Sequence, residues 1–207
     1  MAPRIVDKRA KRRLIQKAAL KVFARTGLSG FKMIDVALAA GVGKGTLYEY
    51  FPSKDDLVVG CFEEFMIEFG EHAAAAVGAL TDPTEQIRRL IGASFEFCLA
   101  DRALIDTLFD FYAAGIPRRD GHSLLSQLAP MYRRMIAQVA GIVDAGIARK
   151  QFRVTDSRAA ASMILAVVDG VMFQIALQTV KADAGLQAEQ ISDMVLNGLV
   201  IANNETT

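Results

Sequence analysis

Apolar residues recur along most of the chain at spacings of three and four positions, the pattern of amphipathic helices. The sequence contains no alternating β-branched runs bounded by turns, and no repeat with a period of roughly 20–50 residues. The pattern therefore predicts an all-α fold of about nine helices. They are expected over residues 7–26, 33–40, 44–51, 54–79, 83–100, 102–115, 123–149, 157–181 and 187–202.

Capping residues predict several of these helix starts. Ser53 precedes two acids, which suit the positive end of a helix dipole. The segment 82–85, Asp-Pro-Thr-Glu, combines an N-cap, a proline at the first helical position and an acid at the third. Residues 155–157 open the long apolar helix, and Gly185 is expected to separate it from the last one. Pro130 is expected to kink or divide the seventh helix.

The first three helices predict a helix-turn-helix unit, because a tight glycine-containing turn, Gly41-Val42, separates the second from the third. Each of the three helices has an apolar face that can pack against the other two. These faces are Ile15, Ala19, Val22 and Phe23 on the first helix, Val36, Ala37 and Ala40 on the second, and Leu47 and Phe51 on the third. We predict two domains, over residues 1–53 and 54–207.

The charge distribution suggests what the first domain binds. The chain has 207 residues and a formal net charge of +1. Residues 1–54 carry twelve Lys or Arg against three acids, a net charge of +9, and the remainder carries −8. This asymmetry favours a polyanionic partner for the first fifty residues. The two cysteines, Cys61 and Cys98, cannot form a disulfide scaffold or a CxxC site, which predicts a cytoplasmic protein.

No membrane partner is expected. Charges interrupt the apolar residues of the N-terminal stretch, so it lacks the apolar core of a signal peptide. Residues 159–180 are long enough to cross a bilayer, but they include Asp169 and several polar side chains. We interpret this segment as a helix buried on two faces.

The third helix carries side chains that suit DNA. Gly43 and Gly45 leave room for backbone N–H groups to approach a phosphate, and Thr46 and the tyrosine hydroxyls can donate to phosphate oxygens. A tyrosine ring can also contact a thymine methyl group. Basic residues near the start of the first helix oppose its dipole, which is explained if phosphates lie close by. These residues are Arg9, Lys11, Arg12 and Arg13.

Residues 9–57 resemble the DNA-binding region of the TetR transcriptional regulators. The match comprises Ala18-Ala19, Phe23, Gly27, Asp35-Val36-Ala37, Ala40 to Tyr48, Tyr50-Phe51, Ser53-Lys54 and Leu57. The resemblance implies phosphate contacts at Tyr48 and Lys54, and a position near the DNA backbone for Thr46. Lys32 and Gly43 depart from the family pattern, because Ser or Thr usually caps the helices that follow. The candidate DNA-binding residues are Lys32, Gly43, Lys44, Gly45, Thr46, Tyr48, Glu49, Tyr50 and Lys54.

The resemblance also implies a helical C-terminal domain that dimerises through its last two helices and holds a small-molecule pocket. The last helix carries a single apolar stripe at helical spacing: Ile191, Met194, Val195, Gly198, Leu199 and Ala202. A homodimer is therefore expected through residues 157–181 and 187–202. The middle helices are rich in Phe and Met, and polar groups within them could orient a ligand. The candidate ligand-binding residues are Tyr112, Asp110, Gln174, Phe109, Met131 and Met163.

We interpret the chain as a ligand-responsive, sequence-specific transcriptional repressor that binds double-stranded DNA as a homodimer on a palindromic operator. No catalytic arrangement can be placed in the sequence, and no cofactor is expected. Glu68 and His72 have the spacing of two metal ligands but lack a third, so no metal is expected. Two alternatives remain open. One is an activator, or a regulator without a ligand, on the same fold. The other is a helical enzyme or lipid-binding protein whose basic arm meets a membrane.

Overall fold

The computed structural model describes residues 7–100, 109–110, 124–153 and 155–200, with side chains from residue 129 onward in the third stretch. These residues form eight helices: α1 (Lys8–Gly30), α2 (Met33–Ala39), α3 (Lys44–Tyr50), α4 (Lys54–Val77), α5 (Pro83–Leu99), α6 (Leu124–Ala148), α7 (Ser157–Ala176) and α8 (Ala184–Leu199). The all-α prediction is confirmed. The helix predicted over 102–115 lies outside the described residues, apart from Phe109 and Asp110, which are helical.

The capping signals in the sequence set three of the helix starts. The Asp82 carboxylate accepts the Glu85 backbone N–H at 3.0 Å, with a proline at the start of α5. The Asp156 carboxylate accepts two backbone N–H groups in the first turn of α7. Before α4, the Ser53 hydroxyl accepts the Asp56 backbone N–H at 3.0 Å and donates to the Asp56 carboxylate at 2.7 Å. Each of these helices begins where a side-chain oxygen accepts the free backbone N–H groups of its first turn.

Some helix ends differ from the prediction. α1 continues to Gly30 through a break at Gly27, whose φ of 67° is left-handed. Asp183 caps α8 by accepting the Leu186 backbone N–H at 3.0 Å, so Gly185 lies within the helix and does not precede it. α6 runs as one helix through Pro130, so of the two expected outcomes the division is wrong and the kink stays a prediction.

The described residues pack as two compact units. Residues 7–68, 109–110 and 124–128 form the first unit; residues 69–100, 129–153 and 155–200 form the second. The first 15 residues of α4 thus belong to the first unit. The domain boundary between residues 53 and 54 stays a prediction. In the second unit α5 packs along α8 and also contacts α7.

The apolar faces predicted for α1, α2 and α3 form the core of the first unit. All nine residues named for these faces are buried: Ile15, Ala19, Val22, Phe23, Val36, Ala37, Ala40, Leu47 and Phe51. The second unit has a buried aromatic at the end of α6, where Phe152 lies against the backbone of Gly146. Gly146 O accepts the backbone N–H groups of Gln151 and Phe152 at 3.0 and 3.1 Å. Helical periodicity therefore identified the first core correctly.

Both cysteines are buried and free, one in each unit. Burial raises the pKa of the Cys61 thiol far above its ordinary value. Burial and the nearby Asp169 carboxyl raise the pKa of Cys98 to about 12. Both side chains are therefore neutral thiols that pack as small apolar groups.

Among the described helices, α7 alone has the length and mean hydropathy, 1.8, that a membrane span requires. Core helices of water-soluble proteins meet the same criterion. One face of α7 packs inside the unit, through Ala161, Ile164, Leu165, Val168, Met172 and Ile175. Met163, Phe173 and Leu177 are exposed, so the expected burial on two faces holds for one face within this chain.

Candidate nucleic-acid interface

The turn between α2 and α3 is a tight backbone reversal that requires a glycine. Gly41 has a φ of 62°, a left-handed conformation that side chains disfavour. Its N–H donates to Leu38 O at 3.1 Å, and the Val42 N–H donates to Ala37 O at 3.0 Å. These bonds close the end of α2 and direct the chain into α3.

α3 has a buried underside and an exposed outer side. Leu47 and Phe51, four residues apart, are both buried, and α3 packs against α2. Tyr48 keeps 40% of its surface exposed although its ring is large and apolar. Of the predicted DNA-binding residues of this segment, Gly43, Lys44, Gly45, Tyr48 and Glu49 are exposed, and Thr46 and Tyr50 are half-buried. The outer side of α3 can therefore meet another surface without unfolding.

The start of α3 is open. Gly43 makes no side-chain capping bond, and the first turn contains no acid. A Cβ at Gly45 would meet nothing within 4 Å among the described residues. The backbone N–H groups of the first turn can donate to an anion, and the positive end of the helix dipole attracts one. Lys32, at the N-cap of α2, is also exposed and makes no capping bond, as expected from its departure from the family pattern.

Lys54 is held from inside the unit. Its ammonium group donates to Ser29 O at 3.2 Å and lies 4.2 Å from the centre of the Phe31 ring. An ammonium group has three donors, so two remain for a phosphate. Lys54 therefore joins the end of α1 to the start of α4 and can also contact DNA.

The basic residues of α1 divide into two groups. Arg13 forms an ion pair with Glu64, and Lys17 lies 3.2 Å from Glu68 on the same helix, α4. Both charges pair with α4 although the side chains stay 43% and 60% exposed, and this pairing differs from the expectation for Arg13. The acids that hold them lie about fifty residues further along, beyond the reach of local pattern.

A second group of basic residues borders an open cleft of about 370 Å³. The cleft is lined by Lys8, Arg9, Arg12, Glu49 and Tyr50. Lys8 was not among the predicted site residues, although it belongs to the basic run that favoured a polyanion. The cleft places α1 cations beside the end of α3.

The predicted ligand-binding residues take several positions. Tyr112 lies outside the described residues. The exposed Asp110 carboxylate lies 3.4 Å from the Leu28 backbone N–H, beside the break in α1, and Phe109 next to it is half-buried. Met131 is half-buried on α6. Gln174 and Met163 are exposed on α7, which differs from the expected interior position.

A histidine and two phenylalanines form a cluster outside the six predicted ligand-binding residues. The ring centres of His72 and Phe97 are 5.4 Å apart, and those of Phe69 and Phe97 are 5.6 Å apart. His72 Nε2 is buried and has no hydrogen-bond partner in the described part of the chain. A buried polar atom left unpaired costs free energy, so a ligand that pairs with it gains affinity.

Asp169 on α7 is exposed in the single chain, but the protein around its carboxyl group raises the pKa to about 6. Burial of this carboxyl group disfavours its charged form and so raises the pKa. Asp169 contributes to the raised pKa of Cys98, which places the two groups near each other.

Two family models match the chain. "Bacterial regulatory proteins, tetR family" matches residues 15–61, and "BetI-type transcriptional repressor, C-terminal" matches residues 83–199. The fatty acid metabolism regulator protein of Bacillus subtilis is 24% identical over 195 residues, which cover 93% of this chain and 97% of that protein.

Solved structures share the fold. The transcriptional regulator FadR from Bacillus subtilis, in complex with stearoyl-CoA, has a TM-score of 0.77 at 22% identity, covering 90% of this chain and 98% of that one. A protein from Saccharomonospora viridis, in complex with choline, has a TM-score of 0.76 at 19% identity, covering 94% and 100%.

Proposed function

Because this chain belongs to the TetR family of bacterial regulatory proteins, it is a ligand-responsive, DNA-binding transcriptional regulator, and we propose that it acts as a homodimeric repressor on a palindromic operator. The observation that carries the proposal is the exposed outer side of α3 above its buried Leu47 and Phe51. Such a helix can enter a major groove while its unit stays folded.

In this proposal the outer side of α3 reads bases and its flanks grip the DNA backbone. Tyr48 contacts a phosphate or a thymine methyl group, and Lys44 supplies charge at the open start of the helix. The remaining proposed DNA contacts are Lys32, Gly43, Gly45, Thr46, Glu49, Tyr50 and Lys54. Two subunits would place their α3 helices in successive major grooves, about 34–36 Å apart.

The proposed dimer uses the outer faces of α7 and α8. Met163 and Met194 are each 69% exposed, and Phe173 and Leu177 are 49% and 57% exposed. Large apolar side chains gathered on one surface indicate an interaction site. A second copy of the chain would cover them through residues 157–181 and 187–202. The predicted stripe on α8 is divided, since Ile191 and Leu199 pack within the subunit.

The proposed effector is a small organic molecule with an apolar part and one hydrogen-bonding group. The His72 cluster supports this chemistry, because an aromatic ring lies beside a ring nitrogen that has no partner among the described residues. The proposed ligand contacts Tyr112, Asp110, Gln174, Phe109, Met131 and Met163 stay predictions. By binding one dimer conformation better than the DNA-competent one, the effector would shift the population and release the operator.

Selection of duplex DNA from a random library by the purified full chain tests this function. We expect one palindromic sequence to be enriched, retained by two chains per duplex in size-exclusion chromatography with light scattering. Transcription in vitro from a promoter overlapping that sequence should fall when the protein is added. No enrichment, or stronger retention on anionic phosphatidylglycerol vesicles than on the selected duplex, would contradict the proposal. A rise in transcription would make the protein an activator.

A further inference from the structure

Arg12 joins α1 to the C-terminal end of α3. One guanidinium nitrogen, Nη1, donates to Tyr50 O at 3.2 Å, and the guanidinium carbon lies 4.4 Å from the centre of the Phe51 ring. Tyr50 is the last residue of α3 and Phe51 is its C-cap. The other terminal nitrogen, Nη2, lies 4.0 Å from the Glu63 carboxylate on α4. One planar cation on α1 thus contacts two other elements of the first unit, α3 and α4.

Gly60 on α4 makes this arrangement possible. A Cβ at position 60 would lie 2.6 Å from the Phe51 ring and 3.0 Å from Arg12 Nη2. The carbonyl of Gly60 accepts the Gln16 side-chain amide at 2.7 Å. α1, α4 and the end of α3 therefore meet closely at one point, with no side chain from position 60 between them.

A seven-residue helix depends on such contacts for its orientation. Isolated helices of this length are unstable in water, and tertiary packing decides where they lie. Leu47 fixes the middle of α3, and the contacts of Arg12 fix its C-terminal end. A cation also suits the negative end of the helix dipole. Loosening that end would tilt the Tyr48 side of α3 relative to a DNA groove.

We propose that Arg12 is a positioning residue, which sets operator selectivity by orienting α3 and does not contact a phosphate. This proposal rests on the proposed DNA-binding function. Lys8 and Arg9 border the same cleft but are exposed, and in the described part of the chain their side chains form no ion pair. They are the cations of this cleft that remain available to DNA. Arg12 keeps 40% of its side chain exposed, but one of its donors and the flat face of its guanidinium are engaged within the protein.

Arg12→Lys distinguishes the two roles, because lysine keeps the charge but lacks the planar fork and stacking face. Fluorescence anisotropy measures binding to the selected operator and to a scrambled duplex of equal length, over a salt series. We expect the affinity ratio between the two duplexes to fall roughly tenfold, the size of one lost charge-assisted hydrogen bond. The salt dependence of binding to the scrambled duplex should stay unchanged. Wild-type selectivity in Arg12→Lys would overturn the proposal.

Arg12→Gln and Arg9→Gln form a matched pair, since both remove one positive charge from the same cleft. The affinity ratio between operator and scrambled duplex should fall further in Arg12→Gln than in Arg9→Gln. If the two variants lose equal selectivity and equal salt slope, Arg12 is a phosphate contact and the proposal fails. Wild-type protein binding the operator selectively in the same assay keeps such a failure separate from failure of the proposed function.

Gly60→Ala perturbs the same contact from the α4 side. It serves as a second variant in case Arg12→Lys fails to fold. Its Cβ would press on Phe51 and Arg12 while leaving every cation in place. We expect reduced selectivity, unchanged salt slope and retained helical circular dichroism at the assay temperature. Wild-type selectivity in Gly60→Ala, or unfolding of both Arg12→Lys and Gly60→Ala under assay conditions, would make Arg12 a folding residue and overturn the proposal.

Discussion

Gly146→Ala is expected to destabilise the second unit although alanine favours helices. A Cβ at position 146 would lie 2.7 Å from Phe152 Cγ and closer still to two other ring carbons. Those distances are shorter than any ordinary carbon contact, so the ring must move. Phe152 is buried, and Val200 pairs with it in an isolated bridge. The Arg153 backbone N–H donates to Leu199 O at 2.8 Å, which restrains the residue that follows Phe152.

The size of the effect follows from two opposing contributions. Removing a buried phenylalanine ring from its site costs about 3–5 kcal/mol. Replacing glycine by alanine inside a helix returns about 1 kcal/mol. The free energy of unfolding should therefore fall by about 2–4 kcal/mol if the ring leaves its site. A partial shift, as in an overpacked core, would cost about 1–3 kcal/mol before the helix gain.

Urea unfolding followed by circular dichroism, at one fixed protein concentration, measures the change. Gly141→Ala is the matched control, because it lies on the same helix with nothing described within 4 Å of its Cβ. It should be neutral or stabilise by up to about 1 kcal/mol. The physical reason is tested by repeating Gly146→Ala in a Phe152→Ala background, where the penalty should vanish. An equal penalty in both backgrounds, or a stabilised Gly146→Ala, would refute the reasoning.

Three further outcomes are expected. Tyr48→Ala should abolish operator retention in a gel shift while leaving the elution volume unchanged, because Tyr48 keeps 40% of its surface exposed; elution as a monomer would make Tyr48 structural. Lys54→Ala should weaken binding to all duplexes about equally and lower the salt slope by roughly one, and an unchanged slope would count against a phosphate contact. Since the pKa of Asp169 is raised from 3.8 to about 6, its charged form is disfavoured in the folded state, and stability falls as pH rises through that window. The urea midpoint of Asp169→Asn should rise relative to that of the wild type as pH increases across the same window. A gain in midpoint that does not depend on pH would exclude ionisation of Asp169 as the cause.

Local chemistry made much of the fold predictable. Asp82 and Asp156 cap helices within three residues of themselves, and the burial of Leu47 and Phe51 follows from their spacing on one helix. The outer side of α3 was predictable for the same reason, since its four exposed residues lie outside the apolar spacing of Leu47 and Phe51. These features depend on neighbours in sequence, which a pattern can reveal.

Contacts between segments that are distant in the sequence could not be predicted from local pattern. From the sequence, Arg12 and Arg13 were interpreted as cations that bind phosphates. The acids on α4 that face them lie about fifty residues away, where sequence pattern does not reveal them. The exposure of Met163 and Gln174 could not be foreseen either, since apolar periodicity does not say whether a face packs in its own chain or against another. Asp110 looked like an interior polar group, but its carboxylate lies beside the Leu28 N–H.

The burial of one free thiol in each unit gives the protein two built-in reporters of local opening. A thiol reagent can reach Cys61 or Cys98 only when the surrounding helices separate, so its reaction rate measures how often each unit opens. The two rates can be followed separately by peptide mass analysis, without introducing any label. Duplex DNA would then be expected to slow the reaction of Cys61, and an effector would be expected to slow the reaction of Cys98. One experiment would therefore measure how each ligand lowers the opening rate of its unit.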